Sequence, residues 1–312
     1  MNRTITYNTG QLCSELRVST FLKQQGFSSQ TLIELKKNPE TVWLDGQPVY
    51  MNHRVHAGQT LTVHILETGT DAVTIPVELP VEVMYEDEDI VVVNKPAGMP
   101  THISMHNYDN TLANALAWRY RREDSPFVFR CTNRLDRDTS GLTVVAKNRL
   151  SSAILGQMVT SQALGGLEEK GIRREYLGIV RGSLETKQGV IDAPLSRKPG
   201  SVLERQVDFA QGERAVTHYR VVAEQDGYSL LAMQLETGRT HQIRVHLKYI
   251  GHPLIGDYLY NPDMERIDRQ ALHAWKLAFA HPISKVPLTF EAPLPEDMRA
   301  IFDRIDRGSY EN

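Results

Sequence analysis

Asp136 stands two residues after Arg134 and directly before Arg137. Arginine on each side suits a charged carboxylate. The chemistry open to such a group is that of a nucleophile or a base. On this spacing alone, an ion pair on a loop is the commoner outcome. Thr139, Ser140 and Gly141 follow as a turn, and Leu142–Ala146 is an apolar, β-branched run expected to form a buried strand. A carboxylate between two arginines, entering a tight turn into a core strand, is a costly arrangement if it only covers surface.

A second polar constellation lies about a hundred residues on, from Glu236 to Leu247. Thr240 is expected to cap a helix whose apolar side holds Ile243, Leu247 and Ile250, with Gly251 as its stop. Arg244 lies one turn after Thr240. A helix start beside Arg239 and His241 suits an anion such as a phosphate. His241 and His246 are five residues apart, which does not put two ligands on one helical face, so no metal is expected. Tyr176 opens an expected strand, Arg173–Gly182. Taken singly, Tyr176 reads as an edge aromatic and Arg244 as a surface charge. The chain has no Gly-x-Gly-x-x-Gly and no phosphate-cradling Gly-Lys-Ser/Thr, so no nucleotide cofactor is expected.

The elements that must position these groups belong to a chain of 312 residues, suited to one large domain and a smaller one. With 41% hydrophobic and 23% charged residues, the composition is that of a globular protein. No apolar run reaches membrane-spanning length, and Met1–Gly10 lacks a signal-peptide pattern. Cys13 and Cys131 form no zinc or disulfide pattern, so a reducing, cytoplasmic location is expected. Net charge is −3, yet charge is segregated. Glu67–Asp89 holds acidic residues and no Lys or Arg, while Arg119, Arg121, Arg122, Arg130, Arg134, Arg137, Lys147 and Arg149 cluster later. Such segregation would give one positive face.

Residues 11–66 read as a small module. Leu16, Val18, Phe21 and Leu22, then Leu32, Ile33 and Leu35, have helical spacing around Gly26, with Ser28 or Ser29 as a cap. Strands Thr41–Leu44 and Leu61–Leu66 follow, with a turn at Asp45-Gly46. Residues 67–80 read as a linker, and 81–312 as the main domain. There, Ile90–Val93 is an expected strand. Helices are expected at Thr111–Arg122, started by Asp109 or Asn110, and at Leu150–Met158, capped by Ser151. Ala215–Ala223 and Ser229–Leu235 form a hairpin through Gln225-Asp226-Gly227. Leu272–Phe279 is a short helix or strand, Leu288–Phe290 a last strand and Asp297–Ile305 a last helix. Many strands with few intervening helices make the class α+β, with a mixed, largely antiparallel sheet.

With these pieces in order, residues 82–300 resemble the RluA family of RNA pseudouridine synthases. Val-Val-Asn-Lys-Pro-Ala-Gly-Met (92–99) resembles the family's opening strand and turn, and Arg-Leu-Asp-Arg-Asp-Thr-Ser-Gly-Leu (134–142) its signature in full. Arg-Glu-Tyr (174–176) matches a Lys-x-Tyr position with Arg for Lys. Thr-Gly-Arg-Thr-His-Gln-Ile-Arg-Val-His-Leu (237–247) and Gly-His-Pro-Leu-Ile-Gly-Asp (251–257) match later blocks. Asn133 departs from the His that the family often has there. The N-terminal module resembles an S-four-like RNA-binding domain in pattern, although it is less basic than usual.

The resemblance implies the pseudouridine synthase fold and a reaction on uridine in ribosomal or transfer RNA. The base–sugar bond is broken, the base turned and a carbon–carbon bond made, with no cofactor. It assigns Asp136 to the sugar as nucleophile or base, Tyr176 to the base, and Arg244 to Asp136 as its pairing partner. Arg134 is the residue that fills the gap left by a flipped base. Arg137, Thr139, Arg239 and His241 join as substrate-binding residues, and the chain is expected to act as a monomer. Two rival readings are a binding module that has lost catalysis, which the intact Asp136, Tyr176 and Arg244 disfavour, and a glycosidase, which lacks a second catalytic carboxylate.

Overall fold

The computed structural model describes residues 1–10, 15–67, 74–121, 127–165 (161–165 as backbone only), 171–262 and 264–302. Cys13 and Arg122 lie outside the described residues.

One large mixed sheet carries the main domain. Its strands run in the order Gln188–Asp192, Val216–Gln225, Tyr228–Leu235, Arg173–Arg181, Leu272–Ala280, Ser140–Ala146, Ile90–Lys95, Glu82–Glu86. Pro287–Glu291 adds to Leu272–Ala280, and Arg130–Cys131 to Ser140–Ala146. Neighbours are antiparallel except where Ser140 and Gly141 run parallel to His273 and Ala274. The α+β, largely antiparallel expectation holds.

That parallel junction explains a glycine. Gly141 has φ +112°, and a Cβ there would lie 2.2 Å from the Ala274 carbonyl oxygen. Two backbones meet with no room for a side chain. All seven residues of Ser140–Ala146 are buried, as the uninterrupted apolar run requires of a strand covered on both faces. The hairpin at Asp226-Gly227 has φ +49° and +81°, the left-handed pair of a tight turn that matches strand twist.

Several expected boundaries move. Thr111, not Asp109 or Asn110, caps the helix Leu112–Arg119, because its side chain and that of Asn114 satisfy each other's backbone N–H groups. The helix expected at Leu150–Met158 with Ser151 as its cap runs Arg149–Gly165, and the Ser151 N–H donates to Asn148 Oδ1 at 2.9 Å, so Asn148 caps it. Leu272–Ala280 is a strand, and the last described helix is only Glu296–Arg299. Residues 303–305 of the expected last helix lie outside the described set.

The N-terminal module also differs. Its sheet, in the order Arg3–Asn8, Thr60–Ile65, Val42–Leu44, Gln47–Pro48, starts at Arg3, before the expected residue 11. Arg3–Asn8 pairs along its whole length with Thr60–Ile65. Helices Val18–Gln24 and Ser29–Lys37 cover it, the second capped by Ser28. Leu150 and Ile154 of the main domain complete this core. Gly26 lets the approach happen: a Cβ there would lie 2.6 Å from Ile154 Cγ1. The connecting stretch is docked at both described ends. Glu67 is buried between Arg130 and Arg149, and the Ile75 carbonyl accepts from Asn114 Nδ2 at 2.7 Å.

No helix among the described residues is long and apolar enough to cross a membrane.

Candidate active site

The segment around Asp136 is pinned to the strand that follows it. Arg130 and Cys131 pair with Ala146 and Val145. Asn133, buried, accepts from the Val144 N–H at 2.9 Å and donates through Nδ2 to the Leu142 carbonyl at 3.1 Å. The departure at 133 thus has a structural task, closing the loop edge to edge. Next, Thr101 Oγ1 donates to the Leu135 carbonyl at 2.8 Å. Lys95, buried, donates from one Nζ to the carbonyls of Pro96, Met99 and Arg137. Burial pulls the Lys95 ammonium down to about 7, against the fields of Asp138 and Asp136. Finally the Thr139 N–H donates to the Asp136 carbonyl at 3.2 Å. The backbone on both sides of Asp136 is therefore fixed before any substrate arrives.

Neither arginine flanking Asp136 in sequence pairs with it. Arg137 turns to its neighbour Asp138, at 2.9 Å through both Nε and Nη2. Arg134 is exposed, with no hydrogen bond or ion pair among the described residues. The partner comes from the helix Gln242–Tyr249. Arg244 Nη1 donates to Asp136 Oδ2 at 2.9 Å. Its Nε and Nη2 each meet one oxygen of Asp257 at 2.7 Å. Arg244 and Asp257 side chains are almost wholly buried, whereas Asp136 keeps 29% of its side chain exposed. Burial opposes the charge on Arg244, but the Asp257 hydrogen bonds and the fields of both carboxylates outweigh it and raise its pKa. Asp136 Oδ1 takes no hydrogen bond among the described residues and is left for a ligand.

The helix entry differs from the expectation. Thr240 is not the cap. His241 occupies that position in the left-handed region, φ +59°, without a capping side-chain bond. The entry is held instead by Gln242, whose Oε1 accepts from the Arg239 N–H at 3.0 Å and Thr237 Oγ1 at 2.7 Å. Its Nε2 donates to the Val216 carbonyl at 2.9 Å. The turn at His241 aims its ring at the site, with Nε2 3.7 Å from Asp136 Oδ2. Tyr260 fixes the ring: its hydroxyl accepts from the Arg205 N–H at 2.8 Å and lies 2.9 Å from His241 Nδ1. Burial lowers the His241 pKa, partly offset by Asp136, so the ring is neutral at neutral pH.

Tyr176 is 6% exposed and pairs with Met233 on one side and Ala274 on the other. The register with Leu272–Ala280 shifts between Glu175 and Tyr176, with Trp275 of that strand as the extra residue. Burial raises its pKa, so it remains a phenol at neutral pH. Thr139 is buried and receives a hydrogen bond from Gln270 at 3.2 Å. Arg239 donates from Nε to the Arg214 carbonyl at 3.1 Å and pairs with Glu213.

A cavity of about 460 Å³ unites these groups. Arg134, Asp136, Arg137, Thr139, Tyr176, Arg239, His241 and Arg244 all line it. The sequence reading missed Asp257, the residue that holds Arg244. It stood in a quoted block, at the end of a turn, where a carboxylate following Gly256 was the available signal.

The expectation of one broad positive face is corrected. The basic cluster pairs with the acidic stretch: Arg119 and Lys147 with Glu86, Arg130 and Arg149 with Glu67. Segregation in sequence becomes pairing in space, because the fold brings the two stretches side by side. One group of metal-type donors occurs among the described residues, Asp87, Asp89 and His281. Protein donors already fill it. Arg3 takes both Asp89 oxygens at 3.0 and 3.2 Å, and Asp87 Oδ1 accepts the N–H groups of Asp89 and Ile90.

Comparison with known proteins places this geometry in context. The protein-family profile described as RNA pseudouridylate synthase matches residues 89–249. An uncharacterised RNA pseudouridine synthase of Bacillus subtilis (strain 168) is 36% identical, over 91% of this chain and 97% of its own length. The ribosomal large subunit pseudouridine synthase D of Zymomonas mobilis is 42% identical over 73% of each chain. That of Escherichia coli O6:H1 is 34% identical over 86% of each. Among solved structures, human RNA pseudouridylate synthase domain containing 1 aligns over 75% of this chain and 90% of its own, at 24% identity and TM-score 0.57, a likeness of fold.

Proposed function

The chain belongs to the RluA family of RNA pseudouridine synthases, and on that premise we propose that it isomerises uridines of large-subunit ribosomal RNA, with Asp136 acting at the sugar. The observation that carries this reading is the division of labour on one carboxylate. Arg244 holds Oδ2, while Oδ1 faces the cavity unpaired. A side chain so held is oriented and still has a lone pair to spend at the anomeric carbon or on a sugar proton. The ribosomal substrate rests on what several relatives are named for. Transfer RNA is the second substrate class.

The reaction starts with extrusion of the uridine, since a stacked base cannot reach a carboxylate on the cavity floor. Arg134, exposed and unpaired at the rim, is free to occupy the vacated place in the stack. Tyr176 lies against the base as its stacking face. Breaking the bond between N1 and the anomeric carbon leaves the electron pair on the base. The base turns, C5 bonds to the anomeric carbon, the C5 proton is lost and N1 takes one up. Atoms and electrons balance without a redox partner. Tyr176 is the group nearest in role to accept the C5 proton. Its raised pKa makes the phenol a weak acceptor, so stacking is the part it is best suited to.

His241, neutral, places its Nε2 beside Asp136, toward the ribose or its phosphate. Thr139, Arg137 and Arg239 line the approach. Phosphates would meet Arg134, Arg137 and Arg239, and binding would weaken with salt. Residues 3–66 form an N-terminal RNA-binding module of the S-four-like kind, and 81–302 the catalytic domain, with residues 67–80 as the linker. The reading carries with it a monomer acting in the cytoplasm without a cofactor.

The test is release of tritium from RNA labelled at C5 of uracil, using RNA from cells that lack this gene. Wild-type protein releases label without cofactor. Absence of release from ribosomal RNA and presence from transfer RNA would move the substrate to the second class.

A further inference from the structure

Arg174 is the one charged side chain of the cavity wall that the preceding account leaves without a task. It is 6% exposed, and its Nε and Nη2 are buried without any hydrogen-bond partner. No carboxylate pairs with it among the described residues. A guanidinium in that state is destabilising, since its desolvation is not offset. Sheet geometry gives its direction. Arg174 and Tyr176 stand two apart on one strand, hence on one face, and both line the cavity with Asp136. The backbone opposite makes way for it. Gly238 has no side chain, and a Cβ there would lie 2.8 Å from Arg174 Nη1. A positive group is thus lodged in the cavity wall beside the expected base-stacking ring, with no ion-pair partner among the described residues.

We propose that Arg174 is a catalytic contact to the uracil ring, an electrostatic partner for the negative charge that the base carries once its bond to the sugar is broken. The inference rests on the function proposed above and names the group that receives that charge. Uracil supplies the matching chemistry. The electron pair left by N1 spreads onto O2 and O4, two acceptors that a guanidinium can pair with. Turning the ring to bring C5 to the anomeric carbon exchanges the places of O2 and O4. A donor fixed in the wall therefore meets a carbonyl oxygen before and after the turn. Once a base fills the cavity and displaces water, such a charge acts strongly, and it is already oriented. The same charge faces the Tyr176 hydroxyl and favours its deprotonation, against the effect of burial.

Two measurements test this. In single-turnover tritium release from C5-labelled RNA of cells lacking the gene, Arg174→Ala is expected to be slower by about a hundredfold, the loss typical of one preorganised donor. Added methylguanidinium restores at least a tenth of the wild-type rate, while methylurea, neutral and similar in shape, does not. Equal rescue by both, or by neither, overturns the proposal. The second measurement needs no RNA. Arg174→Met replaces an unpaired charge by an apolar chain, and its melting temperature is expected to equal or exceed that of wild type. A fall of several degrees makes Arg174 a structural residue and overturns the proposal. A wild-type protein that releases no label would sink the proposed function, while melting still decides whether Arg174 serves the fold.

Discussion

Arg244 and Asp257 face each other as a two-point pair, Nε and Nη2 each 2.7 Å from a carboxylate oxygen, with both side chains buried. That pair leaves only Nη1 for Asp136 and sets its direction. Asp257→Asn keeps the size and removes the charge. The guanidinium should swing, and we expect single-turnover tritium release to fall by about a hundredfold. Leaving a buried charge with one partner fewer should also lower unfolding stability by about 3 kcal/mol in urea titration. Unchanged turnover would mean that Asp136 holds Arg244 without help.

Asp136→Asn should abolish release while RNA affinity, measured by filter binding, stays within a few-fold of wild type. The amide can still accept from Arg244 but cannot serve as nucleophile or base. Full activity in this variant would remove Asp136 from the chemistry.

Arg134→Ala should leave the urea midpoint unchanged, because the side chain is exposed and has no partner to lose. It should slow extrusion of the base, seen as a slower fluorescence rise from 2-aminopurine placed beside the target uridine. A variant that loses stability and flips bases at the normal rate would contradict the wedge role.

Tyr176→Phe keeps the ring and removes the hydroxyl. If stacking is the main part, the rate should fall modestly, within about tenfold, while Tyr176→Leu should fall much further. A collapse with Phe equal to that with Leu would point to the hydroxyl as the proton acceptor.

His273 gives a pH test. It is buried, Nδ1 2.9 Å from Ser140 Oγ and Nε2 3.2 Å from the Ala292 carbonyl, and burial pulls it down to about 4. Its folded pKa lies below the unfolded value near 6.5. Below that value the unfolded chain binds the proton that the folded chain refuses. The stability it contributes is complete above pH ~6.5 and is lost as pH falls toward 4, on the order of 3 kcal/mol. His273→Gln should flatten this part of a stability profile measured by urea unfolding. A slope identical to wild type would assign the acid loss to other groups.

Much of the site was legible in order along the chain. Asp136, Tyr176 and Arg244 stood in blocks whose residue types matched a known chemistry. The strands around them were legible because Leu142–Ala146, Arg173–Gly182 and Ser229–Leu235 are apolar runs bounded by turns. Arg3–Asn8 was not: its polar, alternating residues show no core of their own until Thr60–Ile65 pairs with them. The cap at His241 was hidden for a similar reason. Local propensity favours Thr240, but the buried amide of Gln242 binds the entry more tightly than a hydroxyl at 240 would.

By itself the sequence determined the apolar strands of the main sheet, the family and the carboxylate proposed to react, since each depends on residue type and near spacing. It did not determine who pairs with whom. Arg134 and Arg137 are Asp136's neighbours in the chain, yet its partner is Arg244, 108 residues away. The acidic stretch and the basic cluster read as opposite patches, yet Glu86 and Glu67 pair with four of those cations. Coulomb attraction and hydrogen bonding fall off over a few ångströms, and only the folded sheet decides which charges come that close.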